Sequence, residues 1–242
     1  MAQPRPSPLV IAVANRKGGV GKTTSSIHLA AAYTELGFRV RVLDLDPQGD
    51  SSAWHTSAAE AAADGRDHPF PFEVTPVRHA ARLWTHIPQF SNGYDVLLLD
   101  CPPESDNPRI VSAAVRSADL VTVPVTPSTI DISRVAHMRQ LVCEAAEDNA
   151  RTIVLAVHFT RVDRRVQFRS TLDLFRQGLE ANDYYVADVT IPLRGGFAWA
   201  HGAPLVPSLV ALYVPLASEL LAVHADVMQV QMGQLGEEVD RG

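Results

Sequence analysis

The sequence predicts an α/β protein built on a doubly wound, mostly parallel sheet with flanking helices. Three observations carry this. Short apolar, β-branched runs at 9–14, 40–46, 94–100 and 118–125 alternate with segments of helical period. Two of these runs close on aspartates, at the strand ends where open α/β sheets collect ligands. The first run leads straight into a glycine-rich loop and then a helix-period stretch, the context a phosphate-binding loop requires.

The run Leu9-Val10-Ile11-Ala12-Val13-Ala14 reads as a buried strand, and Ile27, Ala30, Ala31 and Leu36 mark a helix that Gly37 closes. Between them stands Lys17-Gly18-Gly19-Val20-Gly21-Lys22-Thr23-Thr24. The chain holds only two lysines, both in this loop, and the other nineteen of its 21 basic residues are arginines. Lysine is a compact point charge and arginine a planar fork, so they are not interchangeable inside a phosphate cage. Glycines let backbone N–H groups approach an anion, and the helix N-terminus adds a favourable dipole. Gly18, Gly19, Val20, Gly21, Lys22, Thr23 and Thr24 are the expected nucleotide-binding residues. Lys22 is expected on the β- and γ-phosphates and the Thr23 hydroxyl on Mg²⁺.

Asp44 and Asp46, at i and i+2, share one face of the second strand before Pro47 stops it. Tyr94 to Leu99 forms an apolar strand ending at Asp100, followed by Cys101-Pro102-Pro103, a Walker B shape. Residues 118–125 read as another buried strand, and 152–159, 166–179, 184–190 and 209–230 continue the alternation. The chain is expected to be one domain over 9–232. A loose tail at 1–8 and a polar, frayed tail at 233–242 flank it.

The usual phosphate-loop pattern has glycine six residues before its lysine, where this chain has Arg16. What stands instead resembles the deviant Walker A box of the ParA/MinD ATPase superfamily. Asp44-Leu45-Asp46-Pro47-Gln48-Gly49 resembles that family's switch I. Phe197-Ala198-Trp199-Ala200-His201-Gly202-Ala203-Pro204 resembles its phenylalanine, alanine, glycine and proline pattern near the C-terminal end. The resemblance covers residues 9 to about 222 and implies a P-loop fold binding ATP and Mg²⁺. By it, Lys17 crosses a dimer interface to the partner's nucleotide, so Lys17, Lys22 and Asp46 are the catalytic set. Asp46 positions water, while Thr23, Asp44, Asp46 and Asp100 serve the metal, the aspartates through water.

A formal net charge of −6 gives no global attraction to nucleic acid. Arg161, Arg164, Arg165, Arg169 and Arg176 nevertheless crowd sixteen residues, and Arg194 follows Ile191-Pro192-Leu193 near a segment where relatives carry an isoleucine, proline and arginine. The resemblance makes this arginine group a candidate for sequence-independent contacts to DNA phosphates, against a plain solvated helix face. Cys101 and Cys143 form no metal or cluster pattern. No signal peptide and no apolar run near twenty residues was discerned, which implies a cytoplasmic protein without a membrane anchor. Relatives of the MinD branch carry a C-terminal membrane helix, and those of the iron-protein branch carry bridging cysteines, so the expectation is a small ParA type, ParF-like and without a helix-turn-helix domain. The implied activity is slow hydrolysis by an ATP-bound homodimer on nucleoid DNA, stimulated by a ParB-type adaptor, to segregate a plasmid or chromosome. Two other readings stay open: positioning of a non-DNA cargo, and an ATP-dependent scaffold with little turnover.

Overall fold

The computed structural model describes residues 7–62, 70–163, 165 and 169–240. In chain order the elements are β1 Leu9–Val13, α1 Lys22–Glu35, β2 Val40–Asp44, α2 Asp50–Ala61 and β3 Glu73–Pro76. A 3-10 turn at Ala80–Thr85 precedes α3 Ile87–Ser91, β4 Val96–Asp100, α4 Pro108–Ser117 and β5 Leu120–Val125. Then come α5 Thr129–Ser133, α6 Val135–Asn149, β6 Val154–Phe159, α7 Arg169–Glu180 and β7 Tyr185–Val186. The chain closes with α8 Gly195–Ala200, α9 Pro207–Val210 and α10 Val214–Asp240.

The seven strands form one sheet in the order β3-β2-β4-β1-β5-β6-β7, every pairing parallel. Parallel strands need crossovers, which lay helices on both faces. The side chains divide with period two. Val10 and Ala12 join Val111, Met138 and Val142 on one face, and Ile11 and Val13 join Ile27, Tyr33, Leu216 and Leu220 on the other. Strand β1 lies between β4 and β5, so its phosphate loop leaves from the centre of the sheet.

Four expectations change. The strand expected over 184–190 shrinks to Tyr185–Val186 because Glu219 on α10 takes the next backbone N–H groups, of Asp188 at 2.6 Å and Val189 at 3.1 Å. Strand β3, a short edge strand with no fully buried residue, carries too weak an apolar pattern to be read from sequence. The tail expected to fray from Gly233 is instead helix through Asp240. Finally, Pro207–Met232 is long and apolar enough to cross a membrane by length and composition, with mean hydropathy 1.5. Within this fold its apolar residues Leu209, Val210, Leu216, Ala217 and Leu220 are buried in the core.

Candidate active site

The loop after β1 is shaped by two left-handed glycines, Gly19 at φ 75° and Gly21 at φ 95°. Side chains other than glycine resist this conformation, and the turn points the following N–H groups inward. Asn15 braces the start of the loop, donating Nδ2 to Pro124 O at 2.7 Å and accepting from Lys17 N at 3.1 Å. Thr160 braces its end by donating Oγ1 to Val20 O at 2.9 Å.

The two lysines behave differently. Lys22 is buried, and its Nζ donates to the carbonyl of Lys17 at 3.0 Å. Burial pulls its pKa below the ordinary lysine value, against the opposing charges of Asp100, Cys101 and Asp46. Lys17 is half-exposed and points elsewhere, its Nζ 3.0 Å from Asp131 Oδ1. Asp131 is buried at the N-terminal turn of α5. Burial favours its neutral form, but donors from Thr126, Lys17 and Ser128 outweigh that and hold its pKa below the usual carboxylate value.

Asp44 and Asp100 are register partners at the ends of β2 and β4, both buried. The first turn of α2 grips both. Ser51 Oγ donates to Asp100, whose other oxygen accepts from Ser26 Oγ at 2.9 Å. Ser52 donates to Asp44 through N at 2.9 Å and Oγ at 2.6 Å, and Asp46 N adds a bond of 3.2 Å. Burial raises Asp100 to about 6, against the Ser51, Ser26 and Thr23 hydroxyls. Asp44, expected near the metal, therefore has its oxygens engaged by Ser52 of α2 and by Asp46 N, and its pKa is also raised by burial. Asp46 is half-buried and accepts only from Gln48 N, at 2.9 Å, among the bonds found for its side chain.

Gly18, Gly19, Gly21, Lys22, Thr23, Thr24 and Asp46 line one cavity of about 450 Å³. Its donors are loop N–H groups, an ammonium, a hydroxyl and carboxylates, which suit a polyphosphate with a hard, oxygen-seeking cation. Among the described residues no three His, Cys, Asp or Glu side chains converge as a metal set. Mg²⁺ takes one or two protein oxygens and completes its sphere with phosphate and water. Thr23 would hold it, with Asp46 and the fully buried Asp100 acting through water.

Beside Thr24 opens a second cavity, of about 180 Å³, between Arg161, Ile191, Pro192, Arg194 and Phe197. An aromatic box backs it: His28 stacks on Tyr213 at 5.2 Å and meets Phe197 edge-on at 5.1 Å. Arg161 and Arg194, expected on a DNA-facing surface, thus line this cavity. Arg165 pairs with Asp163 and Arg176 donates to the carbonyls of Val186 and Ala187. Arg169 is exposed at the start of α7, and Arg164 lies outside the described residues. Spacing in the sequence puts Arg165, Arg169 and Arg176 near one helical face; in the structure Arg165 lies outside α7 and Arg176 is drawn to the end of β7, so the three do not share it.

Sequence reasoning missed Asp131 and the serines of α1 and α2. Signals existed: Ser128-x-x-Asp131 has capping-box spacing, and Ser51-Ser52 directly follows the Asp-Pro turn.

Comparison with known proteins follows the same lines. Residues 9–65 match a family model described as an AAA domain. The chromosome-partitioning ATPase Soj of Thermus thermophilus is 34% identical over 184 residues, which cover 64% of this chain and 70% of Soj. The chain belongs to the ParA/MinD superfamily. Another ParA/MinD relative, the maintenance of carboxysome distribution protein A of Gloeobacter kilaueensis, is 36% identical over 126 residues. That match covers 52% of this chain and spans about half, 53%, of the relative's length. Among solved ParA/MinD folds, a plasmid partition protein from Borrelia burgdorferi bound to AMPPNP superimposes with a TM-score of 0.66 at 18% identity. It covers 90% of this chain and 99% of its own.

Proposed function

We propose that this chain is a Mg-ATP hydrolase used as a switch, dimeric with ATP and released by hydrolysis. One observation carries the reading. The glycine loop, Lys22, Thr23 and Asp46 converge on a single cavity, while the second lysine of the loop is held outside it on Asp131. Lys22 would exchange the Lys17 carbonyl for a β- or γ-phosphate oxygen. Thr23, with Asp100 through water, would hold Mg²⁺, which when bound neutralises charge on those phosphates. Asp46, with few other bonds, is free to orient the attacking water. The cation facing the developing charge would be Lys17 from a second subunit, in the manner of an arginine finger. The cavity beside Thr24, apolar with two arginines, suits the base and ribose.

The cargo is read from the relatives. Partition of a plasmid or chromosome over the nucleoid, with a ParB-type adaptor accelerating a slow turnover in the cytoplasm, is the first reading. Positioning of a protein compartment is the second, favoured by the carboxysome-distribution relative. DNA would be bound through phosphates without base reading, and Arg161, Arg165, Arg169 and Arg194 are exposed members of the arginine group.

The test is light scattering together with phosphate release, with ADP, ATP or a non-hydrolysable analogue, with and without long duplex DNA. The expected result is an ATP-dependent dimer, with hydrolysis abolished in Lys17→Ala while nucleotide binding persists. Full turnover by Lys17→Ala would remove the trans role of Lys17. A monomer in ATP would remove the switch.

A further inference from the structure

On the face of the sheet covered by α4 and α6, the 3-10 turn at Ala80–Thr85 and these helices enclose a groove of about 560 Å³. Its composition departs from the rest of this acidic chain. Trp84 stands 50% exposed on one wall, with Leu141 and Pro108 also lining the groove. Arg82 and Arg109 line it too, and their guanidinium groups have no hydrogen bond or ion pair among the described residues. Arg116, by contrast, is tied to Asp148. Exposed tryptophan and unpaired arginine are the residue types that dominate protein interfaces.

The groove also reaches the phosphate loop. Glu104 lines it and is buried, with its carboxylate 3.1 Å from His137 Nε2 and 3.8 Å from Arg16 Nε. Glu104 N donates to Asn15 O at 3.2 Å, and Ser105 N to Arg16 O at 3.2 Å. Whatever fills the groove therefore rests on the segment that hands over to Lys17.

We propose that this groove docks an acidic segment of a protein partner, with an apolar side chain against Trp84 and Leu141 and flanking carboxylates on Arg82 and Arg109, and that Glu104 relays its occupancy to the phosphate loop. Charge complementarity selects the occupant. Two unpaired arginines call for anions, and the apolar wall calls for a side chain between them. A nucleic acid backbone would place phosphates on the arginines but leave the apolar wall of Trp84 and Leu141 unfilled. The inference stands apart from the proposed hydrolysis, since docking needs no nucleotide.

The probe is a fluorescein-labelled peptide of about twelve residues, glutamates surrounding a leucine and phenylalanine pair, titrated into the nucleotide-free full chain. Saturable binding is expected, weakened about tenfold or more by Arg109→Glu and by Trp84→Ala, and absent for the same peptide with lysines replacing glutamates. Glu104→Gln should leave that binding within about twofold, yet remove the protection from hydrogen exchange that the peptide confers on residues 15–18. Arg109 is exposed, so its variant carries the test should Trp84→Ala fold poorly. Three results would overturn the proposal: no saturation by the acidic peptide, equal affinity in the Arg109 and Trp84 variants, or displacement by a short DNA duplex that depends on Arg82 and Arg109. Protection at residues 15–18 that survives Glu104→Gln would overturn the relay.

Discussion

Lys17 Nζ lies 3.0 Å from Asp131 Oδ1, so the lysine assigned to a partner's nucleotide is held by its own subunit when alone. The pair joins the start of the phosphate loop to the first turn of α5. Half-exposure of Lys17 limits the attraction to about 1 kcal/mol. Asp131→Asn should keep the Thr126 and Ser128 contacts but loosen Lys17. ATP-dependent dimerisation is then expected at about fivefold lower protein concentration, measured by analytical ultracentrifugation. An unchanged dimer constant would mean that the pair does not restrain Lys17.

Lys22 is buried against its own loop and is the only ammonium lining the main cavity. Lys22→Ala should weaken ATP binding by about 30- to 100-fold, the loss of a charge-assisted contact worth roughly 2–3 kcal/mol. Lys22→Arg should rescue little of it, because a planar guanidinium does not fit where the ammonium sits. Calorimetric titration with a non-hydrolysable analogue decides this; wild-type affinity in either variant would displace Lys22 from the phosphates.

Ser51 ties the start of α2 to Asp100 on β4. Ser51→Ala leaves a fully buried carboxylate one donor short, at a cost of about 1–3 kcal/mol. For a chain of this size that lowers Tm by roughly 2–12 °C. The variant should also need more Mg²⁺ to bind nucleotide tightly, because α2 no longer fixes Asp100. A melting curve and Mg²⁺ dependence both matching wild type would make the contact incidental.

Acid stability follows from three buried groups. Burial lowers His158 to about 3 and His28 to about 4, while it raises Asp100 to about 6. The unfolded histidines take protons near 6.5, so their contribution is present above that pH and is lost as pH falls. Asp100 runs the other way, since the folded state protonates first between about 6 and 4. The two imidazoles outweigh Asp100, so stability should fall as pH drops from about 6, less steeply toward 4, where Asp44, also raised by burial, protonates first in the folded state. Denaturant melts across that range measure it, and His158→Gln should flatten the slope. A slope of zero in the wild type would mean that the histidines are not held neutral.

The phosphate loop and the three strand-end aspartates were legible because each depends on a short contiguous pattern. Gly19, Gly21, Lys22 and Asp100 needed only local order along the chain. Asp131 and Ser51 were not legible in the same way, since their meaning lies in partners 114 and 49 residues distant. The arginine group shows a related limit. Spacing along the chain could not show that Arg161 and Arg194, both exposed, also line the cavity beside Thr24. Glu219 likewise ended β7 from a helix that no local pattern connects to it.

The contrast between a half-exposed Lys17 and a covered Lys22 has a practical side. A chain with lysine at two positions only offers an acylating reagent little else to modify besides its N-terminus. Brief acetylation should mark Lys17 readily and Lys22 slowly, and each change of state would alter that ratio. Mass spectrometry of one loop peptide then reports whether the ammonium groups are parked, engaged or released, with no dye, tag or engineered reporter added.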